Sequence, residues 1–324
     1  MDIVKHVLKA TGSSKISDSA HIQSLWSDYG EIRRYQLKGG VVPSVIVKHI
    51  RLPDHNQHPK RWNSDFSHQR KVQSYEVEQY WYAHYASYTT DACRTPQHFA
   101  SLSTTNEQLL IIEDLDAVGF PIRKHTGDVQ LADVKSCLSW LAYFHAQFMD
   151  VEPQGLWPVG TYWHLATRPD EYEAMQHQPL KQAAQAIDAK LKSATHQTIV
   201  HGDAKLANFC FGRHGQVAAV DFQYVGKGCG MKDVAYLISS CFDDEADCEQ
   251  YEQELLDHYF TTLSRALPRA YPVGQLQEEW IALYKYAWAD FYRFLDGWSP
   301  GHWKMHAYSE RLMQEVIREL EYAE

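Results

Sequence analysis

The sequence contains no apolar run of the roughly 18 residues that a membrane span needs, so we expect no such span. No apolar segment follows the first six residues, and we therefore expect no secretory signal. Blocks of Lys and Arg are also missing, and 31 basic against 41 acidic residues give a net charge of −10. This balance disfavours nucleic acid and anionic membranes as partners. We expect a globular, cytoplasmic protein with a small-molecule ligand.

Metal and nucleotide signatures of the common kinds are absent as well. The six cysteines form no CxxC pair, and the 18 histidines form no HExxH. Without an export signal, we expect the cysteines to be reduced thiols. GxGxxG does not occur, and GxxxxGK[ST] is missing as well, and the second absence argues against a P-loop nucleoside triphosphatase.

The 324 residues suggest two domains or one bilobal unit, and charge is unevenly distributed along them. Residues 1–90 hold 12 basic and 8 acidic residues, a net charge of +4, whereas residues 91–324 hold 19 and 33, a net charge of −14. One interpretation is drift in surface composition. The other is two lobes with different ligands, with phosphates near the first and a cationic group near the second.

The pattern of apolar residues and turn signals predicts an α+β fold. The N-terminal part reads as a helix within 1–20 interrupted at 11–14, strands over 22–50, a helix over 67–88 and a strand at 108–115. Helices then dominate, at 131–148, 179–194, 232–242, 246–266, 276–297 and 304–322, with short strands at 198–200 and 217–220. We expect a small β-rich lobe and a larger, mainly helical lobe, with the boundary near residues 113–120.

The most specific pattern combines a His-Gly-Asp tripeptide with two further polar residues. Asn208 follows Asp203 by five positions, and Asp221 follows Asn208 by thirteen. Phosphoryl transfer needs a carboxylate beside the attacking hydroxyl and hard oxygen ligands that hold Mg²⁺ against the phosphates. The spacing of the first pair is that of a kinase catalytic loop. The pattern therefore predicts a phosphotransferase site.

Residues 199–240 resemble the aminoglycoside phosphotransferase and choline kinase branch of the protein-kinase-like fold. Asp221-Phe222-Gln223 and the segment 226–236 are most similar to the ecdysteroid-kinase-like group. The resemblance implies a bilobal fold with an ATP-binding lobe at 1–114 and a catalytic, acceptor-binding lobe at 115–324. It also implies ATP and Mg²⁺ as cofactors and a hydroxyl of a small molecule as acceptor, such as an amino alcohol, an aminoglycoside-like molecule or another alcohol.

The resemblance assigns roles around the catalytic loop. Asp203 would orient and deprotonate the acceptor hydroxyl, while Asn208 and Asp221 would hold Mg²⁺. His201 would position the loop, and Asp233 would brace it from the start of a helix.

Two features near the loop depart from the usual pattern. The first is the segment 204–207, although its Lys205 lies where a kinase loop often has a cation; Lys205 either stabilises charge on the transferred phosphoryl group or is a surface lysine. The second is Gln223, which replaces the glycine of Asp-Phe-Gly and removes the hinge of an activation-loop switch. We read His145, on the preceding helix, as a residue for packing or buried hydrogen bonding rather than for catalysis.

In the N-terminal lobe, Lys48 is similar to the strand lysine that binds the α- and β-phosphates. Its partner would be Glu78, which precedes an aromatic pair as in the family, or else Glu76. Residues 110–115 resemble the linker between lobes, and we expect Glu113 and Leu115 beside the nucleotide, with backbone groups reading adenine. The acids at 113 and 114 could also be solvated hinge residues. The candidate phosphate loop, 27–31, has only one glycine.

The acceptor site is inferred from an aromatic C-terminal segment. Carboxylates near aromatic faces suit an amine or quaternary ammonium ligand, and these residues are Asp290, Asp296, Trp288 and Trp298. The alternative is that most of the aromatic residues form the core between helices.

Three hypotheses follow. The first is an ATP- and Mg²⁺-dependent small-molecule kinase. The second is a regulatory pseudokinase that binds nucleotide without turnover, supported only by the glycine-poor loop. A protein kinase is disfavoured because the tripeptide is His-Gly-Asp rather than His-Arg-Asp, and no Ala-Pro-Glu follows Asp221.

Overall fold

An antiparallel sheet forms the N-terminal part of the molecule. The computed structural model describes residues 1–25, 29–52 and 65–322. The sheet strands, in the spatial order β1-β2-β3-β5-β4, are β1 (Lys15–Ser24), β2 (Gly30–Lys38), β3 (Ser44–Arg51), β4 (His98–Ser103) and β5 (Glu107–Glu113). Strand β1 lies at one edge and is almost wholly exposed, while the apolar side chains of the central strand β3 are buried. The central position of β3 fixes the side chains that it contributes to the site.

Two helices flank this sheet. Helix α1 (Ile3–Thr11) begins after Asp2, whose carboxylate accepts a hydrogen bond from the backbone N–H of Lys5 at 3.1 Å. Helix α2 (Asp65–His84) is longer, and its buried Trp81 stacks on Phe222 with ring centroids 4.7 Å apart. This stacking joins α2 to the C-terminal part of the chain, next to the predicted metal ligands.

Helices make up most of the remaining chain. They are α3 (Leu131–Gln147), α4 (Pro169–Ala174), α5 (Gln178–Lys192), α6 (Met231–Cys241), α7 (Glu245–Ala266), α8 (Val273–Trp298) and α9 (Ala307–Glu321). Every residue of α6 is buried, and α3, α7, α8 and α9 all contribute to the main apolar cluster. Helix α6 is thus surrounded, so that polar groups on it meet protein groups rather than water.

Two short antiparallel strand pairs position the segment that carries the predicted catalytic residues. Strand β6 (Thr198–Val200) pairs with β9 (Gly226–Gly228), and β7 (Phe209–Phe211) pairs with β8 (Val217–Ala219). The loop 201–208 leaves β6 and enters β7, while residues 220–225 leave β8 and enter β9. Both segments therefore run between the same two pairs of strands and face each other.

The predicted α+β fold, a β-sheet region followed by a helical region, is confirmed. The expected helix within 1–20 ends at Thr11, and strand β1 occupies 15–24 instead of beginning near 22. The alternation in this edge strand is weak, because Asp18 interrupts the apolar positions 16, 20 and 22 and the pairing with β2 has two register shifts. Strand β4 and helix α4 were not predicted either. The division at 114/115 stays a prediction; the sheet ends at Glu113 and α3 begins at Leu131.

Within the described ranges, no helix is long and apolar enough to cross a membrane. The same residues contain no cluster of three or more His, Cys, Asp or Glu side chains with metal-binding geometry. All six cysteines are buried and none forms a disulfide.

Candidate active site

The β7–β8 hairpin brings Asn208 and Asp221 together. Phe209 is paired with Ala219, and the backbone N–H of Val220 donates to the carbonyl of Asn208 at 3.0 Å. Asn208 therefore lies opposite Val220, and Asp221 is one residue beyond. Asp221 has a positive φ of 69°, a conformation that Asp tolerates better than most residues. The hairpin explains why two polar residues thirteen positions apart share one place.

Asp203 is 6% exposed and has one carboxylate oxygen engaged and one free of protein partners. Its Oδ2 accepts from Lys205 Nζ at 3.1 Å and from Asn208 Nδ2 at 3.1 Å. Among the described residues, no group donates to its buried Oδ1. The arrangement holds the carboxylate by one edge and leaves the other oxygen as an acceptor for an incoming hydroxyl.

The loop that carries Asp203 is fixed from behind by Asp233. This fully buried carboxylate accepts from the backbone N–H groups of His201 at 2.5 Å and Gly202 at 2.9 Å, and from His145 Nε2 at 3.1 Å. Gly202 has a φ of +80°, and a Cβ there would lie 2.0 Å from the carbonyl oxygen of Tyr224. Only glycine fits this turn without displacing the backbone.

His201 links the catalytic loop to the segment that follows β8. Its Nε2 donates to the carbonyl of Val220 at 3.0 Å, and its Nδ1 accepts from the N–H of Asp203 at 3.2 Å. Both ring nitrogens are thus used inside the protein. The geometry gives His201 a positioning role rather than one in proton transfer, and His145 is held in the same way by Asp233 and Tyr259.

Gln223 connects Asp221 to helix α2. Its Nε2 donates to Asp221 Oδ1 at 2.5 Å, and its Oε1 accepts from Lys71 Nζ at 3.0 Å and Ser74 Oγ at 3.2 Å. A glycine could make none of these contacts. The residue that departs from Asp-Phe-Gly therefore orients Asp221 and ties it to the N-terminal part.

Lys48 on β3 pairs with Glu78 on α2. The Nζ–Oε2 distance is 2.6 Å, and both side chains are almost fully buried, whereas Glu76 is exposed. Lys48 Nζ is also 3.9 Å from Asp221 Oδ1. Of the two glutamates considered, the structure pairs Glu78 with Lys48.

Burial and neighbouring charges shift the pKa values of Asp203 and Asp221 in opposite directions. Burial raises the pKa of Asp203, although Lys205 opposes the shift. Burial would also raise the pKa of Asp221, but Lys48, Lys205 and the hydrogen bond from Gln223 outweigh it and lower the pKa below its ordinary value. Asp221 is therefore held as the anion that a cation prefers, while Asp203 is the more basic carboxylate.

Asn208 and Asp221 fit a hard divalent cation. The amide nitrogen of Asn208 faces Asp203, which leaves its carbonyl oxygen to point elsewhere. Asp221 keeps Oδ2 apart from its bond with Gln223 and is partly exposed. One amide and one carboxylate oxygen, completed by phosphate and water, is the ligand set that Mg²⁺ takes at such sites.

Glu113 and Asp114 are buried, so the interpretation that they are solvated hinge residues is wrong. Glu113 is 8% exposed and pairs with Arg94, and Asp114 is 3% exposed and accepts from Arg34 at 2.7 and 3.0 Å. Leu115 is buried against the β7–β8 hairpin. The side chains of Glu113 and Leu115 are thus used inside the protein, and the backbone N–H of Glu113 donates to the carbonyl of Gln97 at 2.9 Å, which leaves only the other backbone groups for a nucleotide.

The glycine-poor loop, 27–31, lies partly outside the described residues, which lack 26–28. Its Gly30 has a φ of +132° and opens β2, and Tyr29 is buried.

The proposed acceptor residues do not form one cluster. Asp290 is buried and pairs with Arg293 at 2.8 Å and Lys232 at 3.5 Å, and Asp296 accepts from the backbone N–H groups that begin α5. Trp288 is buried in the helical core, whereas Trp298 is 41% exposed. Both carboxylates already have internal partners, so the geometry favours the core interpretation for Asp290, Asp296 and Trp288.

Sequence reasoning missed Lys304. This residue lies in the turn between α8 and α9, is 8% exposed, and has its ammonium over three aromatic rings. The signal available was a lysine next to Trp303 in an aromatic-rich turn, which reads equally well as a surface position.

The catalytic segment is similar to a known enzyme family. Residues 131–272 match the model of the phosphotransferase enzyme family, APH, and this range contains Asp203, Asn208 and Asp221. No curated protein sequence matches the chain.

Solved structures share the fold at low sequence identity. Amicoumacin kinase hAmiN, in complex with AMP-PNP, Ca²⁺ and amicoumacin, is 13% identical with a TM-score of 0.52, over 100% of this chain and 94% of that one. Choline kinase from Cryptosporidium parvum is 11% identical with a TM-score of 0.52, over 94% and 89%. A thermostable mutant of aminoglycoside phosphotransferase APH(4)-Ia, with ADP and hygromycin B, is 13% identical with a TM-score of 0.50, over 98% of both. The chain has the bilobal protein-kinase-like fold.

Proposed function

We propose that the protein is an ATP- and Mg²⁺-dependent kinase that transfers the γ-phosphate to a hydroxyl of a small molecule. The observation that carries this proposal is the proximity of Lys48, Asp203, Asn208 and Asp221 where the sheet meets the helical region. Asn208 and Asp221 lie at the ends of the β7–β8 hairpin, Asp203 lies in the loop after β6, and Lys48 lies on the central strand β3. Residues from separate parts of the sequence are therefore close together in the folded chain. The match of residues 131–272 to a phosphotransferase family supports the same chemistry.

The residues divide the work of transfer. Lys48, fixed by Glu78, binds the phosphates of the nucleotide, and the backbone N–H of Leu115, which has no acceptor among the described residues, is free to read adenine. Asn208 and Asp221 would hold Mg²⁺, which neutralises charge on the phosphates. Asp203 accepts the proton of the acceptor hydroxyl at Oδ1 while its Oδ2 stays anchored. Lys205, paired with Asp203, would also compensate charge on the transferred group.

The finer assignments rest on the sequence pattern. Asp221-Phe222-Gln223 and the segment 226–236 favour the ecdysteroid-kinase-like group within the family. We place the ATP-binding lobe at 1–114 and the catalytic lobe at 115–324, and we propose a cytoplasmic location.

The test measures acceptor-dependent ADP release in a cell metabolite extract and with a panel of alcohols that includes choline, aminopropanol and hygromycin B. We expect release with at least one component, and a loss of at least about 10²-fold for Asp203→Asn with AMP-PNP affinity unchanged. Full activity of Asp203→Asn would overturn the assignment of the base. Binding of Mg²⁺ and AMP-PNP without turnover of any component would instead favour the regulatory pseudokinase.

A further inference from the structure

Lys304 is a buried cation held by aromatic rings. Its Nζ lies 4.6 Å from the ring centre of Tyr236, 5.4 Å from that of Phe291 and 5.4 Å from that of Trp303. Its hydrogen bond, to Ser239 Oγ, is long at 3.4 Å. Three rings around one ammonium form a cation-binding cage, which we call the Lys304 cage (Tyr236, Phe291 and Trp303).

Lys304 forms no direct ion pair in the part of the chain that the structure describes. Among the described residues, no carboxylate lies within 4.0 Å of its Nζ. The neighbouring buried lysine, Lys232, also faces an aromatic ring, Trp163, but it has Asp290 at 3.5 Å. A buried ammonium without a close counter-charge is costly, and either loss of its proton or binding of an anion relieves that cost. Unlike Lys232, Lys304 therefore has room for an anion from outside the chain as its close partner.

The cage adjoins the predicted base. Tyr236, over whose ring Lys304 lies, packs on Tyr162 with ring centroids 5.5 Å apart, and the backbone N–H of Tyr162 donates to the carbonyl of Gly202, next to Asp203, at 3.1 Å. A small acceptor whose hydroxyl reaches Asp203 Oδ1 can therefore extend towards Lys304. Helix α6 supplies both Tyr236 of the cage and Asp233, which braces the Asp203 loop, so the two sites share one rigid support.

We propose that Lys304 binds a carboxylate of the acceptor, so that the enzyme phosphorylates a hydroxy acid rather than an amino alcohol. The inference rests on the proposed kinase function and narrows its substrate class. An ammonium-bearing acceptor is disfavoured because the side chain of Lys304 already occupies the rings that would receive it. Asp290 and Asp296, the carboxylates that could have received an amine, are occupied by Arg293 and by backbone N–H groups.

The test compares hydroxy acids of two to six carbons with amino alcohols of equal length, for example 4-hydroxybutyrate with 4-aminobutanol. Binding is measured calorimetrically on the full chain with Mg²⁺ and AMP-PNP, which avoids any need for turnover. We expect at least one hydroxy acid to bind about tenfold or more tightly than its amino counterpart. Lys304→Met should remove this preference without changing AMP-PNP affinity, and Lys304→Gln serves if the Met variant does not fold.

Lys285→Met is the matched control, because Lys285 is a surface lysine paired with Glu319 and should leave every affinity unchanged. Tighter binding of amino alcohols, no binding of any hydroxy acid, or an unaltered preference in Lys304→Met would overturn the inference. If the wild type nevertheless releases ADP with an amino alcohol, the kinase proposal stands and only the acceptor class is wrong. If the wild type binds no AMP-PNP, the kinase proposal itself fails.

Discussion

Lys48 Nζ and Asp221 Oδ1 are 3.9 Å apart, and they come from opposite parts of the molecule. Lys48 is on the central strand of the N-terminal sheet, while Asp221 follows a hairpin of the helical region. Glu78 holds the other side of the same ammonium at 2.6 Å. Burial lowers the pKa of Lys48, but Glu78 and Asp221 raise it above its ordinary value, so the lysine stays charged between two carboxylates.

Variants of the Lys48–Glu78 pair should affect the free energy of unfolding and the phosphotransfer activity differently. Glu78→Gln leaves a buried ammonium with only a more distant partner, and we expect the free energy of unfolding to fall by about 3 kcal/mol. Lys48→Met/Glu78→Leu replaces both charges by apolar groups, which should restore most of that stability while phosphotransfer remains lost. Denaturant unfolding and ADP release measure the two effects.

The exposed pair Lys285–Glu319 provides the control for this experiment. Its double replacement, Lys285→Met/Glu319→Leu, should change the free energy of unfolding by less than about 1 kcal/mol and leave activity intact. Recovery of phosphotransfer in the Lys48→Met/Glu78→Leu variant would contradict the assignment of Lys48 as the phosphate-binding residue.

Gln223 should control how well Asp221 binds Mg²⁺. Gln223→Leu removes the hydrogen bond to Asp221 Oδ1 and the link to Lys71 and Ser74. We expect the Mg²⁺ concentration for half-maximal activity to rise by about 10–100-fold, as is typical when a group that orients a metal ligand is lost. Gln253→Leu, at an exposed position of α7, is the control. An unchanged Mg²⁺ requirement would show that Gln223 does not orient Asp221.

The proximity of Asp203, Asn208 and Asp221 could be predicted because their spacing is set by local structure. A loop of fixed length joins Asp203 to Asn208, and a hairpin returns the chain to Asp221, so that chemistry and spacing appear together in the sequence. Lys48 and Glu78 lie thirty residues apart, and the choice of Glu78 over Glu76 depended on the aromatic pair that follows it. The physical reason is that Glu78 and Trp81 lie on the same buried face of α2.

The acceptor side could not be predicted, because the sequence does not say which charges are already paired. Asp290 and Asp296 looked available to an amine, yet Arg293, one turn from Asp290, and the start of α5 satisfy them. The i,i+3 spacing of Asp290 and Arg293 on a predicted helix could have indicated that Arg293 pairs with Asp290. Lys304 gave no such signal, since its aromatic neighbours Tyr236 and Phe291 lie on two different helices.

Asp233 should be needed for the shape of the catalytic loop. Asp233→Asn replaces one carboxylate oxygen, which accepts hydrogen bonds, by an NH₂ group that would face backbone N–H donors. We therefore expect the free energy of unfolding to fall by about 1–3 kcal/mol. Activity should fall more than AMP-PNP affinity, since Asp203 moves while Lys48 does not. Asp128→Asn, which also caps a backbone N–H but on an exposed turn, is the control. Equal effects of the two variants would contradict the bracing role.

Lys304 should leave a signature in the pH dependence of stability. Burial lowers its pKa to about 7, although Asp203 opposes the shift. The titratable and charged groups that face it are Tyr236 and Cys241 from α6, Asp203 and Lys205 from the catalytic loop, and His302 and His306 from its own turn. Below pH 7 both the folded and the unfolded chain carry the charge, and the folded state bears the full cost of burying it. Between pH 7 and 10.5 the folded lysine is neutral, so this cost declines.

Lys304→Met should therefore be more stable than the wild type at pH 6, and its advantage should shrink as the pH rises. The difference in the free energy of unfolding should fall by at most about 1.4 kcal/mol per pH unit above pH 7. Urea unfolding at pH 6, 7.5 and 9 measures this difference, and comparison with Lys285→Met removes effects common to any lost lysine. A difference that is constant across these pH values would show that Lys304 keeps its ordinary pKa, and that the chain already neutralises its charge.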